Sequence, residues 1–456
     1  MKIFNTQSGK KEDFIPLKDG FAGIYVCGPT VYDLPHLGHG RSAVSFDVIR
    51  RYFSYKGFEV KFVSNYTDID DKMINRANQE GISVVELTNR IIPEYELDYG
   101  RLGILPSDVA PKATEHIEEM IFLIKKLEAA GHTYVLDDGV YFNVDSFASY
   151  GELSGQDLEE LKMGARVEVK ESKKNPHDFV LWKFKKEGEP FWASPWGDGR
   201  PGWHIECSAM SHKHLGEKFD IHGGGLDLVF PHHECEVAQS KAVFGPDSFA
   251  KYWIHNGFIN IDNEKMSKSL GNFFTLRDIL NRYPAQAVRL MFMQTHYRNP
   301  INFSLDLLDQ SKAALARLQD FVRNFKTGEF VDGVTLNVEE YKLRFDQFMD
   351  NDFDTSGALG VIFELLNEYN SLKAAAGVRS GDRDAVENFL KEVDKVLGVI
   401  FFEEEALSKE LQKLIEEREK ARKNRDFKRS DEIRDMLIEK GIVLEDGPSG
   451  TIWKRA

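Results

Sequence analysis

The chain has 456 residues, with 59 Lys and Arg against 74 Asp and Glu. The resulting charge of −15 argues against indiscriminate nucleic-acid binding, so any polyanion partner must be met by a local basic patch. The length suits about three domains. Three cysteines are too few, and odd in number, for a disulfide frame. No run of about eighteen apolar residues occurs, and the start MKIFNTQSGKK carries no apolar signal core, so a cytoplasmic protein is expected.

Taken in order, Ile24 to Cys27 has strand character, and Gly28 and Pro29 break it. From Leu37 onward apolar residues recur at Ala43, Phe46, Ile49 and Phe53, the spacing of a helix. Such a strand–turn–helix unit presents unpaired N–H groups and a positive dipole end to phosphate, and glycines such as Gly28 and Gly38 let a ligand approach the backbone. His36 and His39, three apart at that helix start, share a face. Glu59 to Asn65 predicts a second strand, and Tyr66 to Lys72 a polar connection into a helix near Met73. Asn65, Thr67 and Asp68 then sit where doubly wound sheets place ligands, while Thr67, Asp68 and Asp70 suit caps and turns equally well.

From Lys112 to Pro201 the texture changes to a helix (Thr114 to Ala130), an alternating stretch YVLDDGVYFNV, and a charged segment rich in Gly and Trp. This reads as an insertion. The earlier pattern resumes with PGWHIECSAM, a strand over Lys218 to Gly225, a helix over PHHECEVAQSKAVF, and a strand over Tyr252 to Ile261. The strand leads into the lysine-bearing loop DNEKMSKSLGNFFTL and a helix. Beyond Phe303 the periodicity is helical, with a loop expected at Ala375 to Asp384, and Lys409 to Ala456 predicts a basic helix and a hairpin-like tail.

The loop KMSKS carries Lys265 and Lys268, three apart, able to clamp a pyrophosphate leaving group, with Gly271 beside them to permit movement. HLGH at His36 to His39 and KMSKS at Lys265 to Ser269, in this order, resemble the signature motifs of the class I aminoacyl-tRNA synthetases. The resemblance implies ATP binding, with Mg2+, and adenylate formation. It gives His36 and His39 to the phosphates and Lys265 and Lys268 to the pyrophosphate. His232 and Glu236 are i and i+4 and can hold one ion with Cys27 and Cys207, a donor set suited to tetrahedral zinc. The thiols suit burial as small hydrophobes too, and PHHECE suits the start of a polar helix. Cys235, three residues after His232, could reach the same face.

Those residues, with CGPTVYD, TDIDDK, GWHIECS, HGGG, FPHHE and the C-terminal LEDGPSGTIW, are similar to the cysteinyl-tRNA synthetases over essentially the whole chain. The resemblance implies one zinc ion held by Cys27, Cys207, His232 and Glu236, and bound in turn by the thiol of substrate cysteine. Zinc favours a thiolate over a hydroxyl, where an apolar pocket separates isosteres by only about 10²-fold. It further implies that Trp203 walls the amino-acid pocket, as in the family. HGGG follows a strand, where Gly224 and Gly225 would let a ribose approach the backbone and Asp227 would meet its hydroxyls. Arg418 to Arg429, dense in cations, with Phe427 and the Trp453 tail, fits phosphate contact and base stacking on a tRNA anticodon; a solvated, salt-bridged helix is the alternative.

The expected fold is therefore α/β: a Rossmann-like parallel-sheet catalytic domain with an insertion, then an α-helical bundle and a small C-terminal anticodon-binding domain. The expected divisions are 1–111 and 202–264 for the catalytic halves, 112–201 for the insertion, 265–305 for the KMSKS loop and stem-contact region, 306–400 for the bundle and 401–456 for the C-terminal domain. The implied activity is ATP-dependent ligation of L-cysteine to tRNA(Cys) by a monomer with no membrane attachment. The alternatives are a cysteine ligase of the mycothiol-synthesis type and a tRNA-binding module that has lost catalysis.

Overall fold

The computed structural model describes every residue except 156–171, 262–263, 266–273, 326–329, 377, 401–408, 425, 441, 448–449 and 456. The chain divides into two compact units, Met1–Ile400 and Phe401–Ala456.

The larger unit is organised on a parallel sheet. Its strands are β1 (Phe21–Val26), β2 (Glu59–Ser64), β3 (Lys218–Gly225) and β4 (Phe249–Asn256), side by side in the order β4-β3-β1-β2. Tyr25 of β1 lies opposite Val63 on one side and His222 on the other. The near-continuous apolar run FAGIYV is buried almost throughout, as expected of a strand covered on both faces. Parallel bridges from Val63 to Val109 and from Tyr66 to Lys112 extend the β2 edge. Between β1 and β2 runs α1 (Leu37–Tyr55), and between β3 and β4 runs α3 (Glu234–Phe244), while α2 (Trp203–Leu215) precedes β3. The chain leaves β1 toward β2 on one side and has β3 and β4 on the other, so the topological switch point falls between β1 and β3.

The insertion forms an antiparallel sheet of Thr133–Leu136, Gly139–Phe142, Phe179–Phe184 and Gly199–Pro201. Its preceding helix is Ile117–Ala129, shorter than the expected 114–130 because Ala113–Glu115 forms a 3-10 turn first. That helix packs on α2 and α3. Helices Leu305–Asn324, Val338–Asp350, Thr355–Ala376 and Ser380–Leu397 follow.

Three sequence expectations are corrected. The strand expected over 252–261 is two strands in different sheets, β4 and Ile259–Ile261, the latter pairing with Ile301–Phe303. The break is at Gly257, where a Cβ would lie 2.6 Å from the Arg298 carbonyl oxygen, so only glycine lets the two backbones meet. The loop expected at 375–384 is mostly helix: one helix runs to Ala376, Val378–Arg379 is a short strand paired with Phe330–Val331, and the next helix begins at Ser380. Polar Asp382 there is buried, and it accepts the Thr335 and Leu336 amides at 2.8 Å, a partner that local composition does not reveal. In the smaller unit, the single basic helix expected from Arg418 to Arg429 is two helices, Lys409–Lys423 and Phe427–Glu439, because Asp426 caps the second by accepting the Arg429 amide at 3.1 Å. A hairpin of Ile442–Gly447 and Gly450–Arg455 ends that unit.

Candidate active site

A cavity of about 760 Å³ opens at the carboxyl ends of β1, β3 and β4, where open α/β sheets hold ligands. Its wall includes Cys27, Gly28, His36, Gly38, His39, Trp203, Gly225 and Asp227 of the sequence-predicted residues.

At the end of β1 the Cys27 amide donates to the Gly223 carbonyl at 2.9 Å, and the Gly28 amide donates to Asn65 Oδ1 at 2.9 Å. A Cβ on Gly28 would lie 1.6 Å from the Asn65 carbonyl oxygen. Glycine is therefore required there by the neighbouring strand end, a reason independent of any ligand.

His36 is the N-cap of α1, and its extended backbone (φ −101°) lets Nδ1 accept the His39 amide at 3.3 Å. In return the His36 amide donates to His39 Nδ1 at 3.2 Å, and the rings stack with centroids 3.6 Å apart. Tyr95 places its hydroxyl 3.4 Å from the same His39 nitrogen. Both Nδ1 atoms thus face N–H donors, which assigns the proton of each neutral ring to Nε2 and leaves two N–H donors beside the helix N-terminus.

Cys27, Cys207, His232 and Glu236 converge, with one donor atom from each lying within 4.8 Å of all the others. Cys27 Sγ is 3.3 Å from Cys207 Sγ and 3.4 Å from Glu236 Oε1, and His232 Nε2 is 3.1 Å from that oxygen. Donors around a tetrahedral ion with metal–sulfur bonds of about 2.3 Å stand roughly 3.3–3.8 Å apart, so the set fits such an ion. The residues come from four places: Cys27 after β1, Cys207 on α2, His232 in the turn before α3, and Glu236 in the first turn of α3. Glu236 is fully buried, and its other oxygen, Oε2, is held by His222 Nε2 at 2.8 Å. His204 Nδ1 lies 3.0 Å from His232 Nδ1, and Trp203 stacks on the His232 ring at 4.1 Å. Burial, and after it the neighbouring Cys207, pushes the Cys27 thiol well up. Burial likewise raises Cys207 and holds His232 neutral by lowering its pKa well below the usual imidazole value. A cation entering this set would therefore displace thiol protons. A second donor set, Cys27, His222, His233 and Glu236, overlaps the first. There, however, His222 Nε2 is occupied by Glu236 Oε2, and only one thiol contributes.

The remaining predicted residues separate. Thr67 does not line the cavity; it is buried, with its hydroxyl 2.7 Å from Glu206 Oε2. Gly224 does not line it either, and a Cβ there would meet the His233 ring at 2.9 Å, so its smallness serves packing. Asp68 binds the Thr114 amide and hydroxyl, and Asp70 caps the helix Asp71–Glu80, so the capping reading holds for Asp70. Lys265 lies in a two-residue strand, Glu264–Lys265, paired with Ile259–Ile261; Lys268 and Gly271 lie outside the described residues. Cys235 is in neither donor set and packs with its sulfur 3.4 Å from the Tyr150 hydroxyl. In the smaller unit Phe427 is 63% exposed, whereas Arg418 is buried and Arg429 pairs with Glu432 at 3.2 Å. Sequence reasoning missed His204, Tyr95 and the His222–Glu236 bond. Only His204, three residues before Cys207 on one helix, left a local signal.

Known proteins resemble the chain along its length. The family model described as "tRNA synthetases class I (C) catalytic domain" matches residues 13–313, the DALR domain matches 344–402, and the "Cysteinyl-tRNA ligase anticodon binding domain" matches 404–453. A protein named Cysteine--tRNA ligase from Carboxydothermus hydrogenoformans is 51% identical, with all of both chains covered. One of the same name from Thermodesulfovibrio yellowstonii is 49% identical, covering all of this chain and 99% of the other. Among solved structures, Mycobacterium tuberculosis methionyl-tRNA synthetase with methionyl-adenylate shares the fold at a TM-score of 0.58 and 14% identity, over 83% of this chain and 90% of that one. A ternary LeuRS complex from Agrobacterium radiobacter K84 shares it at 0.60 and 11%, over 85% and 84%. With its parallel sheet, its converging thiols and these relatives aligned over essentially their whole length, the chain belongs to the cysteine--tRNA ligase family of class I aminoacyl-tRNA synthetases.

Proposed function

We propose that the protein activates L-cysteine with ATP and transfers the cysteinyl group to tRNA(Cys). A substrate carboxylate oxygen attacks the α-phosphorus of ATP, accompanied by Mg2+, and pyrophosphate leaves. The terminal ribose hydroxyl of the tRNA then attacks the adenylate carbonyl, and AMP leaves. No side chain becomes a covalent nucleophile, so the protein acts by positioning and charge stabilisation.

The observation that carries the reading is the meeting, in one cavity, of the Cys27, Cys207, His232 and Glu236 donors with the paired His36 and His39 rings. A zinc ion in the donor set supplies a Lewis-acid centre that favours a thiolate over the hydroxyl of serine. Trp203 closes the side of this pocket, and His222 fixes the carboxylate of Glu236. His36 and His39 donate from Nε2 to the polyphosphate, aided by the α1 N-terminus. Lys265 and Lys268 neutralise the departing pyrophosphate, and Asp227 with Gly225 meets the ribose. In the C-terminal unit the helix Lys409–Lys423, where cations outnumber carboxylates, and the exposed Phe427 suit the tRNA anticodon. No described helix is long and apolar enough to cross a membrane, and we place the reaction in the cytoplasm, with a monomer as the working unit.

Cysteine-dependent exchange of pyrophosphate into ATP, run against serine, followed by charging of tRNA(Cys), tests this reading. Exchange and charging are expected with cysteine alone, and metal chelation is expected to abolish the preference. Exchange without charging would point to a ligase of the mycothiol-synthesis type, and neither reaction to a binding module. The full-length relatives and the matched anticodon-binding domain disfavour both alternatives.

A further inference from the structure

Arg41, in the second turn of α1, is an anomaly. It is 0% exposed, yet among the described residues no carboxylate pairs with it, and burial alone lowers its pKa to about 10. Among the described residues its guanidinium bonds only carbonyl oxygens: Nη1 donates to Phe258 at 2.5 Å, and Nη2 donates to Tyr297 at 3.2 Å and to Asn299. Its Nε has no partner among the described residues. A cation buried without a counter-charge is a stability liability, since its lost hydration is only partly replaced by dipoles.

Two of the three carbonyls do not need the arginine. Phe258 also accepts the Ile301 amide at 2.9 Å, and Tyr297 accepts the Gly257 amide at 2.8 Å. An apolar side chain of similar length would therefore leave both satisfied and remove the buried charge. What it would lose is the bridge. The planar fork joins the start of α1, which carries His36 and His39, to Asn256–Ile259, which forms the facing wall of the cavity, and to the turn after His296 that backs this wall. The metal donors stand just after β1, on α2, and in the entry and first turn of α3, outside this bridge.

We propose that Arg41 is a positioning residue for the activation step. It fixes the distance between the two histidines and the Asn256–Ile259 wall, so that ATP lies between them in reactive geometry. This rests on the activation reading given above. Arg41→Met should lower kcat for cysteine-dependent pyrophosphate exchange by about 10- to 100-fold, the scale on which misplacement by about 1 Å acts. Zinc content, the KM for cysteine to within about two-fold, and the melting temperature should stay at wild-type values or, for the last, rise. Arg41→Lys, which keeps the charge but not the fork, should recover part of the loss and serves as the test should the Met variant not fold. Wild-type kcat in either folded variant would overturn the proposal. So would loss of zinc and cysteine affinity in parallel with kcat, which marks a general collapse. Absence of exchange in the unmutated protein would overturn the activation reading itself, and the proposal with it.

Discussion

Gly28→Ala tests how tightly the end of β1 is built. The new Cβ would stand 1.6 Å from the Asn65 carbonyl oxygen and 2.7 Å from its carbon, both backbone atoms that no side-chain rotation can move. Real Cβ contacts stay beyond 3.0 Å, so the ends of β1 and β2 must part by about 1.4 Å. That movement strains the bond from the Gly28 amide to Asn65 Oδ1 and carries Cys27 away from Cys207, now 3.3 Å distant. Overpacking of this kind costs about 1–3 kcal/mol of stability. A shift of 1 Å at reacting groups costs about 10²-fold in rate, so exchange activity should fall at least that far, with weaker metal retention against a chelator. Gly225→Ala is the contrast. In the same cavity its Cβ would meet, among the described residues, only the Asp227 carboxylate, at 2.6 Å, which can swing aside. Its expected effect is a raised KM for ATP with the metal retained. The assay is pyrophosphate exchange with zinc content measured on the same samples. Wild-type activity and metal in Gly28→Ala would refute the reasoning, as would equal damage from the two substitutions.

Two further predictions follow from side-chain geometry. Tyr95→Phe keeps the buried ring but removes a hydroxyl beside His39 Nδ1; because the His36 amide still donates to that nitrogen, nitrogen chemical shifts should keep the Nε2–H tautomer while kcat drops about ten-fold or less; wild-type kcat would remove Tyr95 from the role. Asp71 ties the catalytic unit to the insertion: burial opposes its ionisation, but Lys183 and Arg200 win and hold its carboxyl below the usual range. A depressed folded pKa means the contribution is fully present above the unfolded value near 3.9 and is lost as pH falls through the folded value. Hydrogen exchange in Phe179–Phe184 should thus rise on acidification below about pH 4, and Asp71→Asn should remove that pH dependence.

Much of the fold was legible because its signals are local. The apolar run before Cys27, the helical spacing from Leu37 and the strand at Lys218–Gly225 depend on residues within a few positions of one another. His36 with His39, and His232 with Glu236, were legible for the same reason, since i,i+3 and i,i+4 spacing on one helical stretch fixes proximity. Cys27 and Cys207 were not paired by spacing; 180 positions separate them, and their thiols meet only because β1 and α2 pack together.

What the sequence alone determined, then, was the alternation of strand and helix, the residue types able to ligate a metal and to meet phosphate, and their order along the chain. The tertiary structure decided which of them share a cavity. It turned Thr67 toward Glu206, set Gly28 against the Asn65 backbone, gave Glu236 a histidine for its second oxygen and broke the strand at Gly257. Arg41, an ordinary helical residue by composition, became a buried bridge between backbone carbonyls. The reason is physical: periodicity records which face of an element is apolar, whereas a carbonyl oxygen or an amide is present at nearly every position and acquires a particular partner only when distant segments are packed against one another.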